Sequence, residues 1–185
     1  MLQARRRLLM LGLAAPLAGR TAAHSAVPAV LGQALALPAA PHAVVLRWES
    51  TGGLLPTEDA TVLLIHANGV FSARARPGDL RRRTGQLSAQ ALQDLLAWII
   101  EAQGFARLSG EAMLAEIGLI SERSGRLFRV MDGGESSFEI DLPGLQHRVS
   151  FAALDAAFSR FPEVDGLRRL HAIKQRLLNL ANTVR

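Results

Sequence analysis

The side chains in this sequence that could do chemistry are five histidines, a few carboxylates and serines near turns, and one run of arginines. His24, His42, His66, His147 and His171 are dispersed, with no two standing four apart and no HExxH. No helix face therefore offers a ready pair of metal ligands. Cleavage after Ala23 would make His24 the amino terminus. An α-amine beside an imidazole can then chelate copper if the fold supplies a second histidine, for which His42, His66 and His147 are the candidates. His66 itself sits in an apolar run and reads as a half-buried, hydrogen-bonded side chain.

Acyl transfer would need a serine on a sharp turn with a base nearby. No GxSxG is present, and Ser50, Ser121, Ser124, Ser136 and Ser137 sit in turn-like or strand-like contexts. Glu139 and Asp141 alternate with Phe138, Ile140 and Leu142, the pattern of a strand with one solvated face. The pair Gly52-Gly53 could expose backbone amides to an anion. It is not followed by a helix and belongs to no GxGxxG or GxxxxGK[ST], so it reads as a turn or bulge.

Arg74, Arg76, Arg81, Arg82 and Arg83 form the one concentrated charge feature, with Asp79 among them. They read either as a solvated loop or as a patch for an anionic partner: lipid headgroups, an acidic glycan or an acidic protein surface. Few aromatics interleave, which argues against nucleic acid. The formal charge of +5 does not revive that idea, because Arg5, Arg6, Arg7 and Arg20 precede residue 24 and no acidic residue does, leaving +1 for the remainder. Cysteine is absent, which excludes disulfides, zinc thiolates, iron-sulfur clusters and thiol catalysis. No cofactor is implied.

The elements that must position these groups begin after an export signal. Residues 1–23 run Arg5-Arg6-Arg7, an apolar stretch from Leu8 to Ala18, then small residues at Thr21-Ala22-Ala23. That stretch is too short to span a bilayer, and the paired arginines followed by Leu8-Leu9 resemble a twin-arginine signal, with an ordinary Sec signal as the alternative. Residues 24–42, punctuated by Pro28, Pro38 and Pro41, read as a spacer with room for a short helix over 29–37. Residues 43–185 form the domain, and 49% hydrophobic residues supply its core.

Within the domain, 43–50 predicts a strand with Val44, Leu46 and Trp48 on one face and Val45, Arg47 and Glu49 on the other. Asn68-Gly69 between 61–67 and 70–76 predicts a hairpin with a type I′ turn, and 77–85 reads as a polar, basic connection. Ser88 is an N-cap for a helix over about 88–103 with Leu92, Leu95, Leu96, Ile99 and Ile100 on one face, stopped by Gly104. A short helix is expected over 111–117. Strands at 126–131, 136–142 and 146–151 predict an antiparallel meander, and helices follow at 152–160 and 165–183. Strands followed by helices in this order predict an α+β fold.

Thr51-Gly52-Gly53, Asn68-Gly69, Gly85-Gln86-Leu87-Ser88 leading into Leu92, Leu95 and Leu96, and then Phe105 form a pattern that resembles small uncharacterised exported bacterial proteins. Over residues 44–108 it is also similar to emfourin-like inhibitors of thermolysin-type metallopeptidases. That resemblance implies binding to a protein rather than catalysis. The segment from Arg126 onward departs from the inhibitors, and no functional residue is carried over. The sequence thus predicts a periplasmic or secreted binding module that meets another envelope protein or surface, with a copper-binding protein using His24 as the alternative.

Overall fold

The computed structural model describes residues 34–52, 60–74, 81–129 and 133–184, all of which fall in the compact unit that begins at Ala34. Six strands form one antiparallel sheet: β1 Val44–Thr51, β2 Thr61–His66, β3 Val70–Arg74, β4 Arg82–Gln86, β5 Glu135–Leu142 and β6 Leu145–Ala152, in the order β4-β3-β2-β1-β5-β6. The helices are α1 Ala89–Ala97, continued by a wider turn over Trp98–Ala102, then α2 Gly110–Ser124, α3 Leu154–Arg160 and α4 Asp165–Asn182. The fold is α+β, an antiparallel sheet packed by helices. Among the described residues no helix is long and apolar enough to cross a membrane.

Period-two alternation sends Leu46, Trp48, Leu63, Ile65, Phe71, Ala73, Phe138, Ile140 and Val149 to one side of the sheet, and all are buried. Leu92, Leu95, Leu96 and Ile99 on the first helix, and Leu167, Leu170, Ile173 and Leu177 on α4, lie in the same core. Trp48 stacks on Phe138, in register on the next strand, with centroids 6.1 Å apart. Ser88 accepts from the Ala91 N–H at 3.1 Å, and Gly104 ends the wider turn in the left-handed region at φ 61°. Both were legible as cap and stop.

Several expectations are corrected. Val45 is fully buried beside Leu46 because the pairing slips by one residue between Val44 and Leu46, a bulge that breaks strict alternation. The Asn68-Gly69 hairpin is present, but only Gly69 has positive φ, at 81°. The Gly69 N–H donates to the His66 carbonyl at 2.9 Å, so a four-residue turn over 66–69 ends in a left-handed glycine instead of forming a type I′ pair. Asn68 contributes through its side chain, which accepts from the Val70 N–H at 3.0 Å.

Residues 126–129 are not a strand, so the later sheet region is the two-stranded β5–β6 hairpin and not a three-strand meander. Arg126 is held at the α3–α4 corner instead: it donates to the Arg160 carbonyl at 3.0 Å, pairs with Glu163 and lies 5.0 Å over the Phe161 ring. Phe128 meets the same ring edge-on at 5.9 Å. Helix α2 is twice the expected length, because Ile120 extends the Met113 and Ile117 stripe by one turn and Gly125, at φ 68°, supplies the stop. Ala34 to Pro38, inside the stretch read as spacer, is irregular. The Gln93 side-chain amide accepts from the Leu35 N–H at 2.8 Å and donates to its carbonyl at 3.0 Å, so one glutamine side chain replaces a strand neighbour. The rest of the stretch considered for a short helix, 29–33, lies outside the described residues.

Candidate functional site

The arginines read from sequence as one run fall on two paired strands. β3 and β4 are antiparallel, with Val70 opposite Gln86, Phe71 opposite Gly85, Ser72 opposite Thr84, Ala73 opposite Arg83 and Arg74 opposite Arg82. What read as a basic connection over 77–85 thus contains a strand, and among the described residues β4 is the last strand on its side of the sheet. It escapes hydrophobic patterning because it has almost no apolar side chain: Arg82, Arg83, Thr84 and Gln86 are exposed, and only Gly85 is partly covered. The absent side chain at 85 makes room for the Phe71 ring and for Val184 at the end of α4.

Alternation places Arg82 and Thr84 on the face of the sheet away from Phe71 and Ala73, with Arg74 and Ser72, and places Arg83 on the same face as Phe71 and Ala73. The Arg82 guanidinium reaches the Ser72 hydroxyl at 3.4 Å, and Arg83 donates to the Val184 carbonyl at 3.4 Å. Arg74 is only 8% exposed. Arg74 and Arg82 stand directly opposite one another across the ladder. Arg81 precedes β4 and is exposed, and Arg76 lies outside the described residues.

The Gln86 side chain donates to the Asn68 carbonyl at 2.8 Å and to the Leu87 carbonyl at 2.9 Å, while the Leu87 N–H donates to the Gly69 carbonyl at 2.9 Å. The β2–β3 turn, the end of β4 and the start of α1 are tied into one corner by these bonds.

A second charged group on the sheet is internally paired. On the solvent side of β1, β5 and β6, Arg47, Glu139 and Arg148 stand in one cross-strand row. Glu49 lies 3.5 Å from Arg47 and 3.2 Å from Arg148, Glu139 lies 4.0 Å from each, and Arg148 also donates to the Ser137 hydroxyl at 2.8 Å. The network is neutral, two cations against two anions. A shallow cleft of about 290 Å³ beside it is lined by Glu139, Asp141, Gln146 and Arg148. There Gln146 donates to the Asp141 carboxylate at 2.9 Å, so the cleft's charged groups are already partnered.

The four described histidines are not gathered. His66 Nδ1 lies 2.8 Å from the His42 carbonyl, and His147 Nε2 lies 2.9 Å from the Leu108 carbonyl with its ring against Phe105. His171 stacks on Phe158 at 4.3 Å and faces Asp155, which Lys174 holds at 2.5 Å. Among the described residues no three metal-ligating side chains converge. His24 lies outside the described residues.

Two carboxylates titrate below their ordinary range, both at the start of α4. The Arg126 hydrogen bond lowers Glu163, and the Arg168 hydrogen bond, assisted by Arg169, lowers Asp165. Both belong to the α3–α4 corner and not to the arginine strand. No family model matches the chain, and comparison with curated proteins and with solved structures finds no match.

Proposed function

We propose that the chain is an exported, periplasmic binding module that recognises an anionic protein partner through the exposed arginines of and beside β4, Arg81, Arg82 and Arg83. The observation that carries this reading is the β3–β4 register, which puts the exposed Arg82 and Arg83 on the two faces of β4. Support for a binding role also comes from the rest of the sheet's solvent side, where each acidic group of the Arg47 network already faces an arginine. Over positions 74–83 of the sequence basic residues outnumber acidic ones: Arg74, Arg76, Arg81, Arg82 and Arg83 against Asp79. Export rests on the triple arginine, apolar stretch and small residues of positions 1–23.

Arginine suits the task because its planar fork matches carboxylate geometry and stays charged at every accessible pH. Exposed charge pairs are screened by salt, so the interaction weakens as ionic strength rises. The experiment is titration of the purified exported protein with fluorescent poly-glutamate at low and physiological salt, alongside an Arg82→Ala/Arg83→Ala double variant of unchanged Tm. Wild-type protein is expected to bind in a salt-sensitive manner, with affinity about tenfold weaker in the double variant. Equal binding by the two proteins, or none at low salt, overturns the reading.

A further inference from the structure

Helix α2 carries two stripes. Met113, Ile117 and Ile120 are buried, and the first turn lies so close to β6 that a β-carbon on Gly110 would stand 2.3 Å from the Ser150 carbonyl oxygen. On the far side, Glu111, Ala115, Gly118 and Glu122 fall at i, i+4, i+7 and i+11, one line along the helix, and all four are exposed. Leu114 and Leu119 stand on either side of that line, 53% and 58% exposed. With Leu127, just past the helix, they are the exposed large apolar side chains among the described residues. Single exposed leucines are ordinary, but two that flank one line of small residues make a patch.

Gly118 is the residue of this helix that internal packing does not explain. It lies in the helix interior, where glycine is less favourable than alanine, and its φ is not positive. A β-carbon there would meet nothing within 4 Å, so no neighbour in the fold requires the missing side chain. Its effect is outward. Between Leu114 and Leu119 it leaves a shallow groove over Ala115 and Gly118 that another backbone can approach closely.

Charge closes both ends of that groove. Glu111 and Glu122 lie about 16.5 Å apart at 1.5 Å per residue, and neither has an ion-pair partner among the described residues. The arginines near Glu122 are engaged elsewhere: Arg123 Nε donates back to the Leu119 carbonyl at 3.1 Å, and Arg126 is held by Glu163. We infer that this face of α2 docks an amphipathic helix of a partner protein whose apolar line is bracketed by basic residues eleven positions apart, one for each glutamate. The groove takes the partner's apolar side chains, and the two cations set its register.

The same charges decide against other occupants. Two copies of α2 packed antiparallel about the Ala115–Gly118 centre would bring Glu111 of each onto Glu122 of the other, and parallel packing would set each glutamate on its twin, so like charges repel at both ends. An anionic bilayer meets the same repulsion. The inference stands independently of the arginine reading. Helix α2 packs at β6, and β4 lies five strand spacings away in the sheet order, about 24 Å, so the two surfaces can be altered separately.

The test uses a helical peptide of about eighteen residues with a leucine and alanine stripe and two lysines eleven apart, and a second peptide with glutamates in place of those lysines. Binding to the full exported protein is followed by fluorescence anisotropy, and the site is located from leucine methyl shifts. The lysine peptide is expected to bind and to shift Leu114 and Leu119, with the glutamate peptide about tenfold or more weaker. Gly118→Leu fills the groove, and because leucine is the better helix former in open space, Tm should hold or rise while peptide affinity falls about tenfold or more. Glu111→Gln/Glu122→Gln should narrow the difference between the two peptides, and Arg82→Ala/Arg83→Ala should leave both affinities unchanged.

No binding of the lysine peptide, equal affinity for the two peptides, or undiminished binding by Gly118→Leu overturns the inference. So does concentration-dependent dimerisation that Gly118→Leu abolishes, which gives the face to a second copy. Binding to phosphatidylglycerol vesicles that the same variant abolishes gives it to a membrane and overturns the inference as well. None of these outcomes bears on the arginines of β4.

Discussion

Replacing Gly85 with alanine tests whether β4 is seated as described. Gly85 is not among the positive-φ glycines, so the backbone can accept alanine without conformational strain. In open surroundings the change would stabilise the protein by about 0.4–1 kcal/mol, by narrowing the unfolded ensemble. Here the new β-carbon would stand 2.3 Å from Phe71 Cζ, 2.6 Å from Phe71 Cε1 and 2.7 Å from Val184 Cγ1. Carbon atoms rest at about 3.5–4.0 Å, so the ring must shift by roughly an ångström or β4 must lift away. Phe71 is 2% exposed and paired with Gly85 in the ladder, which leaves the ring little room.

Overpacking of this kind costs about 1–3 kcal/mol, which lowers Tm by roughly 2–12 °C in a domain of this size. The assay is urea and thermal unfolding of wild type, Gly85→Ala, Phe71→Leu and the double variant. The penalty of alanine should shrink in the Phe71→Leu background, because the two atoms it meets first are gone, giving a favourable coupling between the sites. A stabilised Gly85→Ala, or one whose cost is the same in both backgrounds, would refute the ring-over-glycine packing and with it the placement of β4.

Gln93→Leu removes both bonds to Leu35, and amide exchange at Leu35 should accelerate by about tenfold or more while global unfolding moves little. Unchanged exchange would show that this segment is held by other contacts. For Glu163, the Arg126 hydrogen bond lowers the folded pKa below its ordinary 4.5. The carboxylate's contribution to stability is therefore full above that value and is lost as pH falls through the lower folded value. Urea midpoints measured across acid pH should show a steeper loss for wild type than for Glu163→Gln. Parallel curves would mean that the Arg126 contact does not persist in solution.

Much of the fold was legible because local signals and burial agreed. Ser88, the Leu92–Leu95–Leu96–Ile99 stripe and Gly104 mark the first helix from start to stop, and the structure uses each as its chemistry suggests. Asn68-Gly69 marked a hairpin correctly and its turn type wrongly, since the Asn68 side chain, not a left-handed Asn68 backbone, completes the turn. The errors fall where tertiary contacts override pattern. Arg126 and Phe128 alternate like strand residues, yet their side chains are anchored on Phe161 and Glu163, so no ladder forms there.

The arginine site was half legible for a related reason. Residue type alone could single out Arg74, Arg81, Arg82 and Arg83, because the cluster is a matter of composition. That Arg82 and Arg83 belong to a strand depends on Phe71 and Val184 covering Gly85, contacts made by residues that are distant in sequence. An interior strand must repeat apolar residues to sit in a core, whereas an edge strand needs only one covered position and gains by carrying charge elsewhere. Patterning rules therefore lose sensitivity at sheet edges. Arg82, Arg83 and Thr84 read as a loop for the same reason that they suit the end of a sheet: their side chains are exposed, and nothing in them needs burial.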